Sequence, residues 1–335
     1  MQQTRVLATI NLSDALCRKI ETATPDIDLQ FLPQRLRRAT RFGDPRIAEG
    51  WGRHLQEAHV LFTDLEVPHG LAPYAAHLRM IHVASAGIET LLETDLCRDT
   101  AVPISLAVGG ANATAVAEFT LSSMLAMSKG LPRLLAHQRR KRWLGGHQPG
   151  LLAGKTLVLV GLGHINRDIA KMAKAFDMRV LGCSRTAAVG DRLSFVDEVF
   201  PVAALRERLG EGDFVVLAVP LTPETRGMIG RAELAAMRST AYLVNVGRGA
   251  LVQDEALLWA LRDGEIAGAA LDVFEEEPLP RSSPLWTLPN VLVSPHVAGI
   301  SDVFLDSVVD QLCENLQCLA AGEPLLNLAD RVRGY

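Results

Sequence analysis

A chain of 335 residues is longer than one compact core commonly reaches, so about two domains are expected. With 48% hydrophobic and 21% charged residues it has the balance of an ordinary globular protein, and a formal net charge of -4 offers no basic field for nucleic acid. Five cysteines, Cys17, Cys97, Cys183, Cys313 and Cys318, form no C-x-x-C pair, so no disulfide framework and no metal site are indicated and a reducing cytoplasm is expected.

Met1-Gln2-Gln3 leads directly into the strand-like Arg5-Val6-Leu7-Ala8-Thr9-Ile10, without the pattern of a cleavable leader. No uncharged apolar run approaches the ~18 to 20 residues that span a bilayer, so a soluble protein without membrane contact is expected. Strands are expected at Val6 to Ile10, Leu29 to Leu32, Val60 to Phe62, Ile81 to Ala84 and Ile104 to Ala107, with helical segments such as Pro45 to Ala58 between them. A long helix rich in Ala, Leu and Met is expected from Asn112 to Gln138, and its two apolar sides suggest a second partner such as another subunit. Arg139-Arg140-Lys141-Arg142 then reads as the solvated, dipole-complementing end of that helix.

A second series begins at Lys155, with strands expected at Thr156 to Val160, Arg179 to Cys183, Phe214 to Ala218, Tyr242 to Val246, Ala267 to Leu271 and Val291 to Ser294. Helices fall at Ile165 to Phe176 and at Asp254 to Asp263, the latter with Asp254 as N-cap. A last helix, Val303 to Ala321, stops at Gly322-Glu323-Pro324. The fold class is therefore α/β: two doubly wound parallel-sheet domains with a cleft between them.

Leu157-Val158-Leu159-Val160-Gly161-Leu162-Gly163-His164-Ile165-Asn166 is an apolar strand, a Gly-x-Gly turn and a helix start. Gly161 and Gly163 permit a tight turn and close approach of the backbone to a pyrophosphate at the positive helix end. The third glycine of that fingerprint is Asn166 here, at a cost in helix–strand packing. At the end of the next strand, where an acidic residue would hold a ribose hydroxyl, the chain has Cys183-Ser184-Arg185-Thr186. Ser184, Arg185 and Thr186 suit a 2′-phosphate, so NADP(H) is the expected cofactor, with NAD(H) possible.

Three charged residues stand where strand-like runs turn into loops: Arg248 in Asn245-Val246-Gly247-Arg248-Gly249, Glu277 in Leu271-Asp272-Val273-Phe274-Glu275-Glu276-Glu277-Pro278, and His296 in Ser294-Pro295-His296-Val297-Ala298-Gly299. A guanidinium holds a carboxylate by two hydrogen bonds, an imidazole exchanges a proton near neutrality, and a carboxylate orients that imidazole. Together they suit reversible reduction of a small 2-keto acid to a 2-hydroxy acid. Trp143 is expected to pack in a core or an interface rather than reach into a neighbouring subunit's site.

With Ser85-Ala86-Gly87-Ile88-Glu89, Asn112-Ala113-Thr114-Ala115-Val116-Ala117-Glu118 and Val219-Pro220-Leu221-Thr222-Pro223-Glu224-Thr225-Arg226 added, the chain resembles the D-isomer-specific 2-hydroxyacid dehydrogenase family, and its NADP-dependent glyoxylate/hydroxypyruvate reductase branch in particular. The resemblance implies a discontinuous, flavodoxin-like substrate domain at 1–107 plus 299–335, a Rossmann cofactor domain at 108–298, and a homodimer formed through the latter. It assigns catalysis to Arg248, Glu277 and His296 and gives the backbone at Ala86 and Gly87 to the substrate carboxylate. Asp272 falls to the nicotinamide, and Asn112, His164, Ile165, Val219, Pro220, Thr225, Val246 and Gly299 fall to the rest of the cofactor. Two rival readings share the architecture: a dinucleotide-sensing regulatory protein of the corepressor kind, and a formate- or phosphite-type dehydrogenase.

Overall fold

Successive residues of a strand face opposite sides of a sheet, so a strand that is apolar throughout must be covered on both faces. In the computed structural model, which describes residues 3–37, 45–186 and 193–334, such strands build two parallel sheets. The chain divides into two compact units, residues 1–112 with 301–335 and residues 113–300.

In the first unit β1 (Thr4–Ala8), β2 (Ile27–Phe31), β3 (Val60–Thr63), β4 (Met80–Val83) and β5 (Ile104–Leu106) run in the order β2-β1-β3-β4-β5. All neighbours are parallel. Leu7, Leu61 and Ile81 face a core with Ala48, Trp51 and Leu55 of helix Pro45–Leu55. Val6, Ala8, Val60 and Phe62 face the other core, closed by helix Asp14–Glu21 and by Val308, Val309, Leu312 and Leu316 of helix Phe304–Ala321. That last helix ends at Gly322 in the left-handed conformation (φ +71°), which glycine adopts at little cost.

In the second unit β6 (Thr156–Val160), β7 (Arg179–Ser184), β8 (Glu198–Pro201), β9 (Phe214–Leu217), β10 (Tyr242–Asn245), β11 (Gly268–Leu271) and β12 (Val291–Val293) run in the order β12-β11-β10-β9-β6-β7-β8. β6 sends Val158 and Val160 into one core and Leu157 and Leu159 into the other. Val116, Ala117, Leu121 and Met124, from helix Gly110–Ser128, close the second of these together with Ile169, Ala170 and Ala173 of helix His164–Ala175. Chain order reverses between β9 and β6, and the crevice beyond the carboxyl ends of strands at such a point is the ligand position of open α/β sheets.

Four details depart from the sequence reading. The long helix is two, Gly110–Ser128 and Leu131–Arg139, because Gly130 turns left-handed (φ +65°) and Pro132 opens the second helix. A Cβ on Gly130 would lie 2.7 Å from the His147 ring, whose Nε2 meets Lys129 O at 2.8 Å. The edge strand β8 is too short and too polar, Glu-Val-Phe-Pro, to stand out by pattern. Gln253, not Asp254, caps helix Asp254–Asp263: Leu257 N donates to Gln253 O, and Asp254 becomes the first helical residue, where its charge still suits the dipole. Trp143 is 97% exposed, so it packs in no core of this chain.

One buried polar network ties the first unit to its C-terminal segment. His82, fully buried on β4, meets Ser105 Oγ (3.2 Å) and Val308 O (3.3 Å), and Ser105 Oγ also accepts from Asn315 Nδ2 (2.9 Å) and donates to Leu326 O (2.9 Å). Burial pushes the His82 imidazole down from 6.5 to about 4. Between those values the unfolded chain takes up a proton that the folded chain refuses, so stability is full above pH 6.5 and declines as pH falls toward 4. The slope is about 1.4 kcal/mol per pH unit for one such group. Urea midpoints should therefore fall across this window in the wild-type chain, and His82→Leu should remove that part of the pH dependence. An unchanged dependence in the leucine variant would mean that His82 titrates as it does in the unfolded chain.

Candidate active site

β10, β11 and β12 are neighbours, so their carboxyl ends bring the loops that follow them to one edge of the second unit. Those loops carry Arg248, Glu277 and His296. His296 Nδ1 stands 2.7 Å from Glu277 Oε2, with the imidazole half exposed. The other oxygen of Glu277 accepts from Phe274 N at 2.9 Å. One carboxylate thus fixes its own turn and orients the ring, leaving Nε2 as the nitrogen available for proton exchange.

His296 has φ +54°, a left-handed conformation that costs a residue with a Cβ about 1 to 2 kcal/mol. Asp272, next after β11 and 2% exposed, holds it there. Its backbone oxygen accepts from His296 N (2.8 Å). One carboxylate oxygen accepts from Ser294 Oγ (2.6 Å) and Val297 N (3.0 Å), and the other from Ala298 N (2.9 Å). The side chain expected to face the nicotinamide is thus engaged by the histidine loop itself. Ser294, which the sequence reading passed over, belongs to this clamp.

Arg248 is partly buried on a loop of similar construction. Asn245, the 1% exposed last residue of β10, donates from Nδ2 to Arg248 O (2.9 Å) and accepts from Gly247 N (3.1 Å). Arg248 Nη1 donates to Gly247 O (2.7 Å). A Cβ on Gly249 would lie 1.8 Å from Phe274 C, so glycine alone lets this loop lie against the turn of Glu277. Asn245 was also missed; a polar side chain ending a buried strand is the signal that marks it.

The dinucleotide turn fits the group it is expected to hold. Gly161 has φ +92°, and a Cβ there would lie 2.5 Å from Val219 Cγ1 and 3.3 Å from Ala218 O. Gly163, at the N-cap of helix His164–Ala175, would place a Cβ in open space, and no side chain caps that helix. A bare backbone thus leads into the positive helix end, the arrangement that receives a pyrophosphate. Ile165 is partly buried and His164 exposed. Thr225 Oγ1 accepts from Thr222 N and donates to Pro220 O (both 2.8 Å), tying the loop after β9, and Val246 N donates to Leu217 O (3.1 Å).

At the end of β7, Cys183 is buried and its thiol is pushed up to about 12, so it stays neutral. Ser184 is buried and accepts from Thr186 N (3.3 Å), while Arg185 and Thr186 are exposed. The carboxyl of Glu224, which sequence reasoning overlooked, is held below the usual range by the Thr222 hydroxyl and its own amide, with a weaker pull from the Arg185 charge. Ala86 and Gly87 lie in the first unit, in the loop after β4, where Gly87 N donates to Ser85 Oγ (3.2 Å). Asn112, on helix Gly110–Ser128, and Gly299, in the turn after His296, complete the positions expected at the cofactor. Among the described residues no group of three or more His, Cys, Asp or Glu is placed to hold a metal, and no helix is long and apolar enough to cross a membrane.

Asp272→Asn is the sharpest test of the histidine clamp. An amide nitrogen on either side would face an O–H or N–H donor in place of an acceptor, at about 1 to 3 kcal/mol for each buried group left unmatched. The urea midpoint of the variant should drop accordingly, and a wild-type midpoint would show that the loop is held by other means.

A family model described as "D-isomer specific 2-hydroxyacid dehydrogenase, NAD binding domain" matches residues 121–298. The chain is 35% identical over 287 residues to a glyoxylate reductase of Aeropyrum pernix, covering 82% of this chain and 84% of that one. It spans about half to two thirds of the length of other curated relatives, 52% in the case of D-3-phosphoglycerate dehydrogenase of Methanocaldococcus jannaschii. Among solved structures it resembles a D-isomer specific 2-hydroxyacid dehydrogenase of Xanthobacter autotrophicus in complex with NADPH and MES (31% identity, TM-score 0.84, all of both chains). It also resembles an NADPH-dependent glyoxylate/hydroxypyruvate reductase of Sinorhizobium meliloti in complex with NADP and sulfate (27% identity, TM-score 0.81, 99% of this chain and all of that one). The two parallel sheets, the dinucleotide turn and the loops after β10, β11 and β12 are thus those of a known oxidoreductase family, and the chain belongs to the D-isomer specific 2-hydroxyacid dehydrogenases.

Proposed function

We propose that this protein is an NADP(H)-dependent reductase of small 2-keto acids of the glyoxylate and hydroxypyruvate kind, yielding 2-hydroxy acids, of D configuration where a stereocentre forms. The observation that carries the reading is the 2.7 Å contact of His296 Nδ1 with Glu277, on loops next to the one that bears Arg248. The similarity to glyoxylate reductases and to NADPH-bound structures supports the substrate class and the cofactor.

In this mechanism the bound nicotinamide supplies the hydride. Arg248 pairs with the substrate carboxylate and polarises the keto oxygen, stabilising the charge that develops there. His296, held through Nδ1 by Glu277, gives the proton on Nε2 to that oxygen, and in the reverse direction takes it back. Glu277 stabilises the imidazolium, and Asp272 and Asn245 hold the loops that present the two cations. Residues 113–300 hold the cofactor, with residues 1–112 and 301–335 as the substrate domain. Leu131, Leu135, Trp143 and Leu151 are exposed apolar side chains of the cofactor unit, and a second copy of this chain is their proposed partner. The five free cysteines suit a reducing compartment such as the cytoplasm.

Consumption of NADPH in the presence of glyoxylate, hydroxypyruvate, pyruvate and bulkier 2-keto acids tests the proposal. Turnover should be fastest with glyoxylate and hydroxypyruvate. Dinucleotide binding without turnover on any member of the panel would favour a sensor over an enzyme. His296→Ala should lower kcat by about a hundredfold or more while cofactor binding survives, the usual worth of a positioned acid–base group. A variant with near-wild-type kcat would remove His296 from proton transfer.

The cofactor preference depends on Ser184, Arg185 and Thr186 and on the lack of a carboxylate among them. Arg185 pairs with the 2′-phosphate, and the two hydroxyls donate to it. A lost charge-assisted contact is worth about 1.5 to 3 kcal/mol, so Arg185→Ala should weaken NADPH roughly tenfold to a hundredfold and leave NADH nearly unchanged. Equal loss of both cofactors, or a wild-type enzyme that prefers NADH, would contradict the assignment.

A further inference from the structure

The residue that departs from the dinucleotide fingerprint is itself built into the turn. Asn166 lies in the first turn of helix His164–Ala175 and is fully buried. Its Nδ2 donates to two successive carbonyls, Val160 O at 2.8 Å and Gly161 O at 2.9 Å. These are the last carbonyl of β6 and the first of the turn. Val160 O also receives a long 3.4 Å contact from Ala218 N. Asn166 Oδ1, also buried, has no partner among the described residues. An unmatched buried acceptor is a cost that an apolar side chain would avoid, and the two donated bonds offset it.

We propose that Asn166 is a positioning residue for the dinucleotide: its amide staples the carbonyls of Val160 and Gly161 to the helix start and so sets the backbone between Gly161 and Gly163 that receives the pyrophosphate. In the usual fingerprint a glycine at this place lets helix and strand approach closely, and no side chain crosses between them. Here a side chain crosses and carries hydrogen bonds. Gly161 supplies the left-handed bend at φ +92°, its N donates to Cys183 O (2.9 Å), and Asn166 fixes its oxygen, so both polar groups of the pivotal glycine are held from behind the turn. The pyrophosphate is common to both nicotinamide dinucleotides, so the staple acts on NADPH and NADH alike, unlike Arg185.

The inference rests on the family's dinucleotide site and not on which of the two cofactors the enzyme prefers. Its test is fluorescence titration of NADPH and of NADH into purified wild-type protein, Asn166→Ala and Asn166→Gly, with kcat measured at saturating cofactor and thermal midpoints taken alongside. Asn166→Ala should weaken both dinucleotides by the same factor, on the order of tenfold for two lost hydrogen bonds, with kcat at saturation within about twofold of wild type. Asn166→Gly, which restores the usual third glycine, should also bind both more weakly than the natural chain. It decides the matter if the alanine variant does not fold. A folded alanine or glycine variant that binds both cofactors as tightly as wild type, or more tightly, would overturn the staple and leave Asn166 as packing. A loss confined to NADPH would overturn it too, since the effect would then belong to the 2′-phosphate end. Wild-type protein that binds neither dinucleotide would overturn both this inference and the function proposed above.

Discussion

The site depends on the carboxylate of Asp272. A histidine in the left-handed region is held against its own backbone preference, and the restraint comes from Asp272 O and both carboxylate oxygens acting on the segment Ser294 to Ala298. Every bond of that clamp originates next to the end of β11, inside a seven-stranded parallel sheet, so the imidazole inherits the rigidity of the core. Local strain of this kind persists only where the surroundings over-determine it, and it collects at sites that do chemistry.

The same device recurs with different parts along the edge of the sheet. Asn245 fixes the loop of Arg248, Thr225 ties the loop after β9, and Asn166 grips the turn after β6. In each case a polar side chain spends its hydrogen bonds on backbone groups at a strand end or in the loop that follows it. In the proposed mechanism the groups presented to ligand are then bare backbone, a guanidinium and an imidazole. Gly249 and Gly161 do the complementary work, since a Cβ at either would collide with the neighbouring loop. Preorganisation of this sort lets a charged group meet developing charge without the loop having to rearrange first.

Much of this was legible in the sequence, because apolar runs ending in Gly or Pro mark strand ends and the chemistry of Arg, Glu and His at such ends is recognisable. Two parallel sheets, most strands, the dinucleotide turn and the family follow from those signals. The holding residues were not legible: a buried Asn245 or Ser294 resembles any polar residue in a loop until its partners are known. The break at Gly130 was hidden because Ala and Leu continue on both sides of it, and the nearby His147 ring and Pro132 explain it. β8 escaped because its four residues carry neither length nor alternation. Trp143 fits the usual behaviour of tryptophan only if its partner is another chain, since its own chain leaves it 97% exposed. Glu224 is seven residues past the end of β9 in sequence, and the hold of the Thr222 hydroxyl on its carboxyl is a property of the folded loop.

The central claim is that hydride is delivered to one face of the keto carbon of an acid whose carboxylate is held by Arg248 and whose oxygen takes its proton from His296. The most direct measurement is the configuration of the product: the protein is supplied with NADPH and hydroxypyruvate, and the glycerate formed is resolved on a chiral column. The account predicts the D isomer alone. The L isomer, a mixture of the two, or no glycerate at all while NADPH binds would contradict it.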